Sequence, residues 1–219
     1  LCNEYADIEH IDLAVAPAHL LLGKMYYDEA DYDAAKVHLL KSTKAFDQYK
    51  QQLIVYGVKW YYETITMQYL MLCDITKQQE SWEECNEYME NIMSALKKAD
   101  CSEAQQLLPM FIVKYGHMAA HFLDYAKAEK LYKEVIDNNE IYSKYIDYDK
   151  YCTEAYHSLI SIYVAQLQPE KALALYDVML RNECSKTSDN TTLRCSSIAS
   201  IALCYIYQND TSQAMRIAK

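Results

Sequence analysis

The stretch LLGKMYYDEADYDAAKVHLL, residues 21–40, places Gly23 and the alanine pair Ala34 and Ala35 inside two segments that otherwise have the composition of helices. Antiparallel helices need small residues where their axes approach most closely, because a large side chain there would force the axes beyond the usual ~8–10 Å. Residues 31–33 supply a polar turn between the segments. The stretch therefore predicts a helical hairpin in which Gly23 faces Ala35.

The same pair of positions, twelve residues apart, recurs four times along the chain. The later pairs are Cys73 with Cys85, Gly116 with Ala128, Ile160 with Ala172, and Ala202 with Ala214. Ile160 is a bulky exception. Successive second positions lie 50, 43, 44 and 42 residues apart, which indicates five repeated hairpins with long connections or long helices.

The residues around these pairs resemble the tetratricopeptide repeat, whose pattern is W-x2-L-G-x2-Y, then A-x3-F, then P. The first unit matches with His19, Leu22, Gly23, Tyr26, Ala35 and Leu39. Two segments are also similar to each other, LDYAKAEKLY at 123–132 and ADYDAAKVHL at 30–39. Since the family repeat is about 34 residues, the chain resembles a long-repeat variant, like the arrays of some bacterial regulators and peptide receptors. The resemblance implies a right-handed α-α superhelix of about five antiparallel helix pairs.

We therefore predict an all-α fold forming one repeat domain over residues 1–219. The predicted units cover approximately 16–49, 50–99, 102–142, 150–183 and 193–219. The predicted helix pairs are 17–28 with 32–47, 51–78 with 82–98, 103–121 with 125–137, 150–165 with 169–182, and 193–207 with 211–219. Polar connections are expected at 138–149 and 183–192. Ser81 and Pro169 suit helix starts, and Ser102 with Gln105 suits a capping box. We expect the chain to be a fragment that continues beyond Lys219, since a last repeat normally needs a polar capping helix.

Composition and motifs exclude several classes of function. The net charge of −10 is the opposite of what phosphate neutralisation requires, so nucleic-acid binding is not expected. No uncharged stretch reaches the ~18 residues of a membrane span. The three glycines are too far apart for a phosphate-binding loop, and neither H-E-x-x-H nor G-x-S-x-G occurs. We expect no enzyme activity, no cofactor and no bound metal.

The eight cysteines are irregularly spaced and include no C-x-x-C pair, which argues against a zinc or thioredoxin-type motif. Cys73 and Cys85 occupy paired small positions, so their side chains should nearly touch. Two packed thiols would indicate a reducing, cytoplasmic compartment, which we favour. A disulfide would indicate a periplasmic or other extracytoplasmic location.

In the tetratricopeptide family the inner, concave surface usually carries the ligand, and the first helix of each pair supplies it. The resemblance therefore implies a binding stripe of twelve residues: Lys24, Tyr27, Asp28, Asp74, Lys77, His117, His121, His157, Ser161, Leu203, Ile206 and Tyr207. The lysines and histidines would meet acidic groups, and the last three residues would hold an apolar anchor.

Three histidines and the many tyrosines allow alternatives. His117, His121 and His157 could hold a transition metal, bind a carboxylate once protonated near pH 6, or be ordinary groove residues bonded to tyrosine or backbone. The chain has 22 tyrosines, which could form a ligand surface or pack between helices. We expect packing for seven of them: Tyr26, Tyr115, Tyr132, Tyr156, Tyr163, Tyr176 and Tyr205.

The function that we expect from the sequence is a non-catalytic scaffold that binds a protein or peptide in its groove. One alternative is a sensor segment of a larger bacterial signalling or transcription regulator. A more distant alternative is a hydrolase built on helical pairs. The sequence leaves the oligomeric state open.

Overall fold

The predicted all-α fold is confirmed by a computed structural model, which describes residues 11–181 and 191–217. Within these residues the chain forms helices and no strands. The helices are α1 (Ile11–Asp28), α2 (Tyr32–Gln48), α3 (Lys50–Ile54), α4 (Val58–Gln78), α5 (Trp82–Lys98), α6 (Ser102–Gln105), α7 (Leu108–His121), α8 (Tyr125–Asp137), α9 (Asn139–Tyr142), α10 (Tyr148–Ala165), α11 (Pro169–Arg181), α12 (Thr191–Tyr207) and α13 (Thr211–Ile217).

The helices form the predicted antiparallel pairs, namely α1 with α2, α4 with α5, α7 with α8, α10 with α11, and α12 with α13. Two predicted helices are interrupted. Residues 55–57 separate α3 from α4, and Gly57, the N-cap of α4, adopts a non-helical φ of 148°. Residues 106 and 107 separate α6 from α7. The predicted connection at 138–149 contains α9, and most of the one at 183–192 lies outside the described residues.

Contacts divide the chain into two compact units, Leu1–Leu108 and Pro109–Lys219. In the first unit the fully buried side chains include Phe46, Leu72, Met89 and Ile92. In the second unit they are dominated by tyrosine, with Tyr115, Tyr132, Tyr148 and Tyr156 each about 1% exposed. Aromatic rings bury large apolar areas, so tyrosine supplies much of the second core.

All five hairpins turn through the same backbone geometry. The residue that precedes each second helix by two positions adopts a left-handed conformation with φ between 55° and 63°. These residues are Ala30, Glu80, Leu123, Leu167 and Asn209. Each lies five positions before the small residue of its second helix. The backbone turns therefore repeat with the spacing of the sequence pattern.

Hydrogen bonds fix each turn as a Schellman motif followed at once by a new helix. The N–H of the residue after the left-handed position donates to a carbonyl five positions earlier, as Asp124 does to Ala119 at 2.9 Å. The carboxylate of Asp124 then accepts from the backbone N–H of Lys127 at 3.1 Å. Asp124 thus closes the first helix and caps the second, as Asp31 and Asp210 do at their turns.

A non-glycine residue at these positions is strained, and we expect glycine to relieve the strain. Leu167 is 57% exposed, so little packing is lost in Leu167→Gly. A left-handed backbone costs a side-chain-bearing residue about 1–2 kcal/mol. Urea unfolding should show a gain of up to about 1 kcal/mol for Leu167→Gly after the entropy of glycine is counted. Ala174→Gly, an exposed interior position of α11, should instead lose about 0.5–1 kcal/mol. A loss of similar size in both variants would contradict the strain.

The close approach predicted at Gly23 and Gly116 is present, and the nearest atoms belong to the residue one turn beyond the predicted alanine. A Cβ on Gly23 would lie 2.9 Å from Cγ of Leu39, and one on Gly116 would lie 2.5 Å from Cε1 of Tyr132. The nearest neighbour is thus four residues beyond the alanine in each case. Helical side chains point back towards the N-terminus, so a residue one turn later covers the surface at the alanine's level.

The predicted contact of Cys73 with Cys85 is confirmed. The thiol of Cys73 donates to the backbone oxygen of Cys85 at 3.6 Å, and both thiols are free. The hydrogen bond with Cys85, together with burial, raises the pKa of Cys73, so it remains a thiol. Cys2 and Cys184 lie outside the described residues.

Other local predictions have mixed outcomes. Ser81 is the N-cap of α5, and Pro169 begins α11, as predicted. The capping box at Ser102 does not form, because Ser102 lies inside α6 and its hydroxyl bonds Glu103. Leu22, which matches the leucine of the repeat pattern, is 38% exposed. Of the seven tyrosines predicted to pack, five are buried, and Tyr26 and Tyr176 are half-buried.

Candidate functional site

The second unit contains a cavity of about 310 Å³ between α7, α8 and α10. We call it the histidine pocket. It is lined by His117, Ala120, Tyr125, Tyr132, His157, Ser158, Ser161, Ile162 and Ala165. The lining residues of α10 recur at intervals of three and four, so they share one helical face. Small residues on that face leave the space that the cavity occupies.

Each histidine of the pocket is held by a serine from the neighbouring first helix. Nε2 of His117 lies 3.1 Å from the hydroxyl of Ser158, and 3.7 Å from a carboxylate oxygen of Glu154. Nδ1 of His157 lies 2.8 Å from the hydroxyl of Ser197. These bonds link α7 to α10 and α10 to α12, and they orient both imidazole rings.

Both pocket histidines are held in the neutral form. Burial lowers the pKa of His117 below its ordinary value of 6.5, and Lys114 and His157 add to this effect, although Glu154 opposes it. Burial also lowers the pKa of His157, although Glu154 again opposes this effect. At neutral pH the pocket therefore presents two uncharged imidazoles beside a carboxylate.

We expect this burial to make stability depend on pH. Since the pKa of His117 is lower in the folded chain, the unfolded chain takes up its proton first as the pH falls through 6.5. The free energy of unfolding should therefore fall below neutral pH and level off once the pH is below the folded-state pKa. Urea unfolding across this range should show a shallower decline for His117→Gln than for the wild type.

His121→Gln is the matched control for that experiment, because His121 is an exposed histidine of the same helix. Its profile should parallel that of the wild type. If His117→Gln also leaves the slope unchanged, burial of that imidazole does not govern the pH response.

The predicted binding residues of the second unit fall into two groups. His117, His157 and Ser161 line the pocket, whereas His121 is exposed and packs edge-on against Phe122 at 5.1 Å. The predicted apolar anchor lies on α12 and is exposed, by 52% for Leu203, 48% for Ile206 and 77% for Tyr207. Cys204, next to Leu203, donates to the carbonyl of Val164, so α12 lies beside α10.

The predicted residues of the first unit form a smaller set. The hydroxyl of Tyr27 donates to the carboxylate of Asp74 at 3.5 Å and joins α1 to α4. Lys24 and Asp28 are exposed, and Lys77 is half-buried. This unit thus presents a polar stripe of both charges.

The residues that position the imidazoles carry no signal in the repeat pattern. Ser158, Ser197 and Glu154 were not identified, and Tyr132 was assigned only to packing although it also lines the pocket. The two serine partners lie 41 and 40 residues after their histidines, close to one repeat. A search for polar side chains one repeat away from each histidine would have found them.

Among residues 11–181 and 191–217, no three His, Cys, Asp or Glu side chains group as metal ligands. No helix in the described part of the chain is long and apolar enough to span a bilayer.

Comparison with known proteins finds no matching family, no matching curated protein and no matching solved structure.

Proposed function

We propose that the second unit binds an extended peptide segment of a partner protein across α7, α10 and α12. The observation that carries the proposal is the histidine pocket, an open cavity lined by oriented polar side chains. Its volume of about 310 Å³ is near the lower end of ligand pockets, which suits a side chain rather than a cofactor. We propose no catalytic role and no resident cofactor.

The chemistry of the pocket favours a neutral polar side chain of the ligand. Neutral imidazoles both donate and accept hydrogen bonds, and Ser161 adds an exposed hydroxyl that already donates to the carbonyl of His157. The nearby carboxylate of Glu154 disfavours an acidic ligand at neutral pH. A carboxylate would bind there better under acidic conditions, where His117 is charged.

The exposed apolar side chains of α12 favour an apolar residue elsewhere in the same segment. Leu203, Ile206 and Tyr207 are spaced three and four residues apart and share one face of α12, so a ligand that crosses from α10 to α12 could bury all three. Tyrosine is common in binding surfaces because it offers a rigid ring and a polar tip. The polar stripe of the first unit, with Lys24 and Lys77, is proposed as a second binding surface.

The resemblance to tetratricopeptide repeats supports this proposal, because their first helices form the inner surface that binds ligands. A right-handed superhelix is part of the same proposal. The repeated left-handed turns support regular hairpins, which are the building unit that such a superhelix requires.

The test is selection of peptides from a random displayed library on the full chain, followed by affinity measurement with the best binder. Ser161→Trp should fill the pocket from an exposed position and weaken binding at least tenfold. Ala174→Trp adds the same ring to an exposed position of α11 and should leave affinity unchanged. Failure to select any peptide, or equal affinity for the wild type and Ser161→Trp, would overturn the proposal.

A further inference from the structure

The first unit contains a larger cavity, about 450 Å³, which the peptide proposal does not use. We call it the lysine pocket. Residues of α2, α3, α4 and α5 line it, including Lys44, Lys50, Tyr61, Tyr62, Tyr69 and Asn91. None of the residues of the predicted binding stripe lies in this lining.

Two lysines, Lys44 and Lys50, line the pocket. In the part of the chain that the structure describes, neither Lys44 nor Lys50 forms an ion pair. This is unusual in its setting, because acidic residues greatly outnumber basic ones in residues 1–108. Asp47 also lines the pocket but pairs with neither lysine.

Aromatic rings hold Lys50 in place. Its ammonium nitrogen lies 5.5 Å from the ring centroid of Tyr62 and 5.9 Å from that of Tyr61. Such contacts attract a cation but leave its charge in place, whereas a carboxylate would neutralise it. Lys50 is therefore positioned in the pocket while it remains available to an anion.

Further donors face the same space. The hydroxyls of Tyr62 and Tyr69 make no hydrogen bond within the described residues. Burial, with Asp47 and Glu87, raises the pKa of Tyr69, so its phenol keeps the proton that it can donate. The amide of Asn91 adds another donor.

Basic side chains continue beyond the pocket. A second cavity of about 270 Å³ lies between α1 and α2 and is lined by Lys41, His19 and again Lys44. Lys44 is thus shared by two cavities. Lys41 would add to the attraction of the two pocket lysines for a bound anion, whereas Asp47 in the lining would oppose it.

We propose that the lysine pocket binds a small organic anion, in which a phosphate or carboxylate group is attached to an aromatic ring. Lys44, Lys50 and the tyrosine hydroxyls would bind the anionic group, and the faces of the tyrosine rings would pack against the ring. The first unit would then carry a small-molecule site separate from the peptide surface.

Isothermal titration of the full chain with phenyl phosphate, benzoate and inorganic phosphate tests this proposal. We expect saturable one-to-one binding of phenyl phosphate or benzoate, and the tighter of the two identifies the anionic group. Lys44→Met and Lys50→Met should each weaken that binding at least tenfold. Added salt should weaken it as well.

Lys59→Met is the matched control, because Lys59 is an exposed lysine of α4 that pairs with Glu63 at 3.7 Å. It should leave the affinity unchanged. The proposal would be overturned if none of the three probes bound saturably. It would also be overturned if Lys59→Met lost as much affinity as Lys44→Met and Lys50→Met. Inorganic phosphate binding as tightly as phenyl phosphate would overturn the role of the ring. Ser161→Trp should not affect this binding, so the result is independent of the peptide site.

Discussion

Replacing Gly116 by alanine is expected to lower the free energy of unfolding by about 1–3 kcal/mol. The new Cβ would lie 2.5 Å from Cε1 and 2.8 Å from Cζ of Tyr132. The ring of Tyr132 is only 1% exposed and lines the histidine pocket, so moving it aside would break its packing in the second core and its place in the pocket lining. Either the ring or the spacing of α7 and α8 must change.

The sign of this effect distinguishes close packing from helix propensity. In the interior of a helix, glycine is normally about 1 kcal/mol less favourable than alanine. Gly116→Ala should therefore stabilise the chain if Gly116 has no close neighbour. A measured decrease in the free energy of unfolding would mean that the close packing of α7 against α8 outweighs the higher helix propensity of alanine.

A double-mutant cycle with Tyr132→Leu gives the sharpest version of the experiment. Leucine lacks the ring atoms that a Cβ on Gly116 would meet, so Gly116→Ala should cost much less in that background. Thermal and urea unfolding of the four proteins would give the coupling. Equal effects of Gly116→Ala in both backgrounds would show that Tyr132 is not its close neighbour.

Replacing Gln68 by leucine is expected to raise the free energy of unfolding by about 1–3 kcal/mol. Gln68 is fully buried in α4, and neither of its amide atoms has a hydrogen-bond partner within the described residues. Burying an unpaired amide costs the full loss of its hydration. Leucine has a similar volume and helix propensity, so the substitution removes the polar atoms with little change in packing.

Two further variants control for this result. Gln78→Leu makes the same change at an exposed position of α4 and should alter stability by less than about 0.5 kcal/mol. Gln68→Glu would bury a charge and should destabilise the chain. If Gln68→Leu destabilises it instead, then Gln68 is paired in solution and contributes to the packing of α4.

The hairpins could be predicted from the sequence because each one repeats the same constraint. The five pairs of positions, each twelve residues apart, predicted most helix ends to within a few residues. The interruptions at Gly57 and after Gln105 break the repeat, so the pattern contained no signal for them. The left-handed turn residues were also missed, since glycine is the usual marker and none of the five is glycine.

The candidate site was only partly predictable for a related reason. Helical spacing correctly placed His117, His157 and Ser161 on helix faces that meet at one cavity. It did not show that Ser158 and Ser197 would bond the imidazoles, because the register between neighbouring helices depends on the lengths of the connections. It also could not show that burial would outweigh Glu154 and lower the pKa of both histidines.

The most direct measurement of the binding proposal is photo-crosslinking of a selected peptide to the full chain. A benzophenone side chain would replace Val164, a half-buried residue of α10 next to the pocket lining, or Val178, an exposed valine of α11. We expect a crosslinked product from position 164 and none from position 178. A product from position 178 alone, or equal products from both, would contradict binding across α7, α10 and α12.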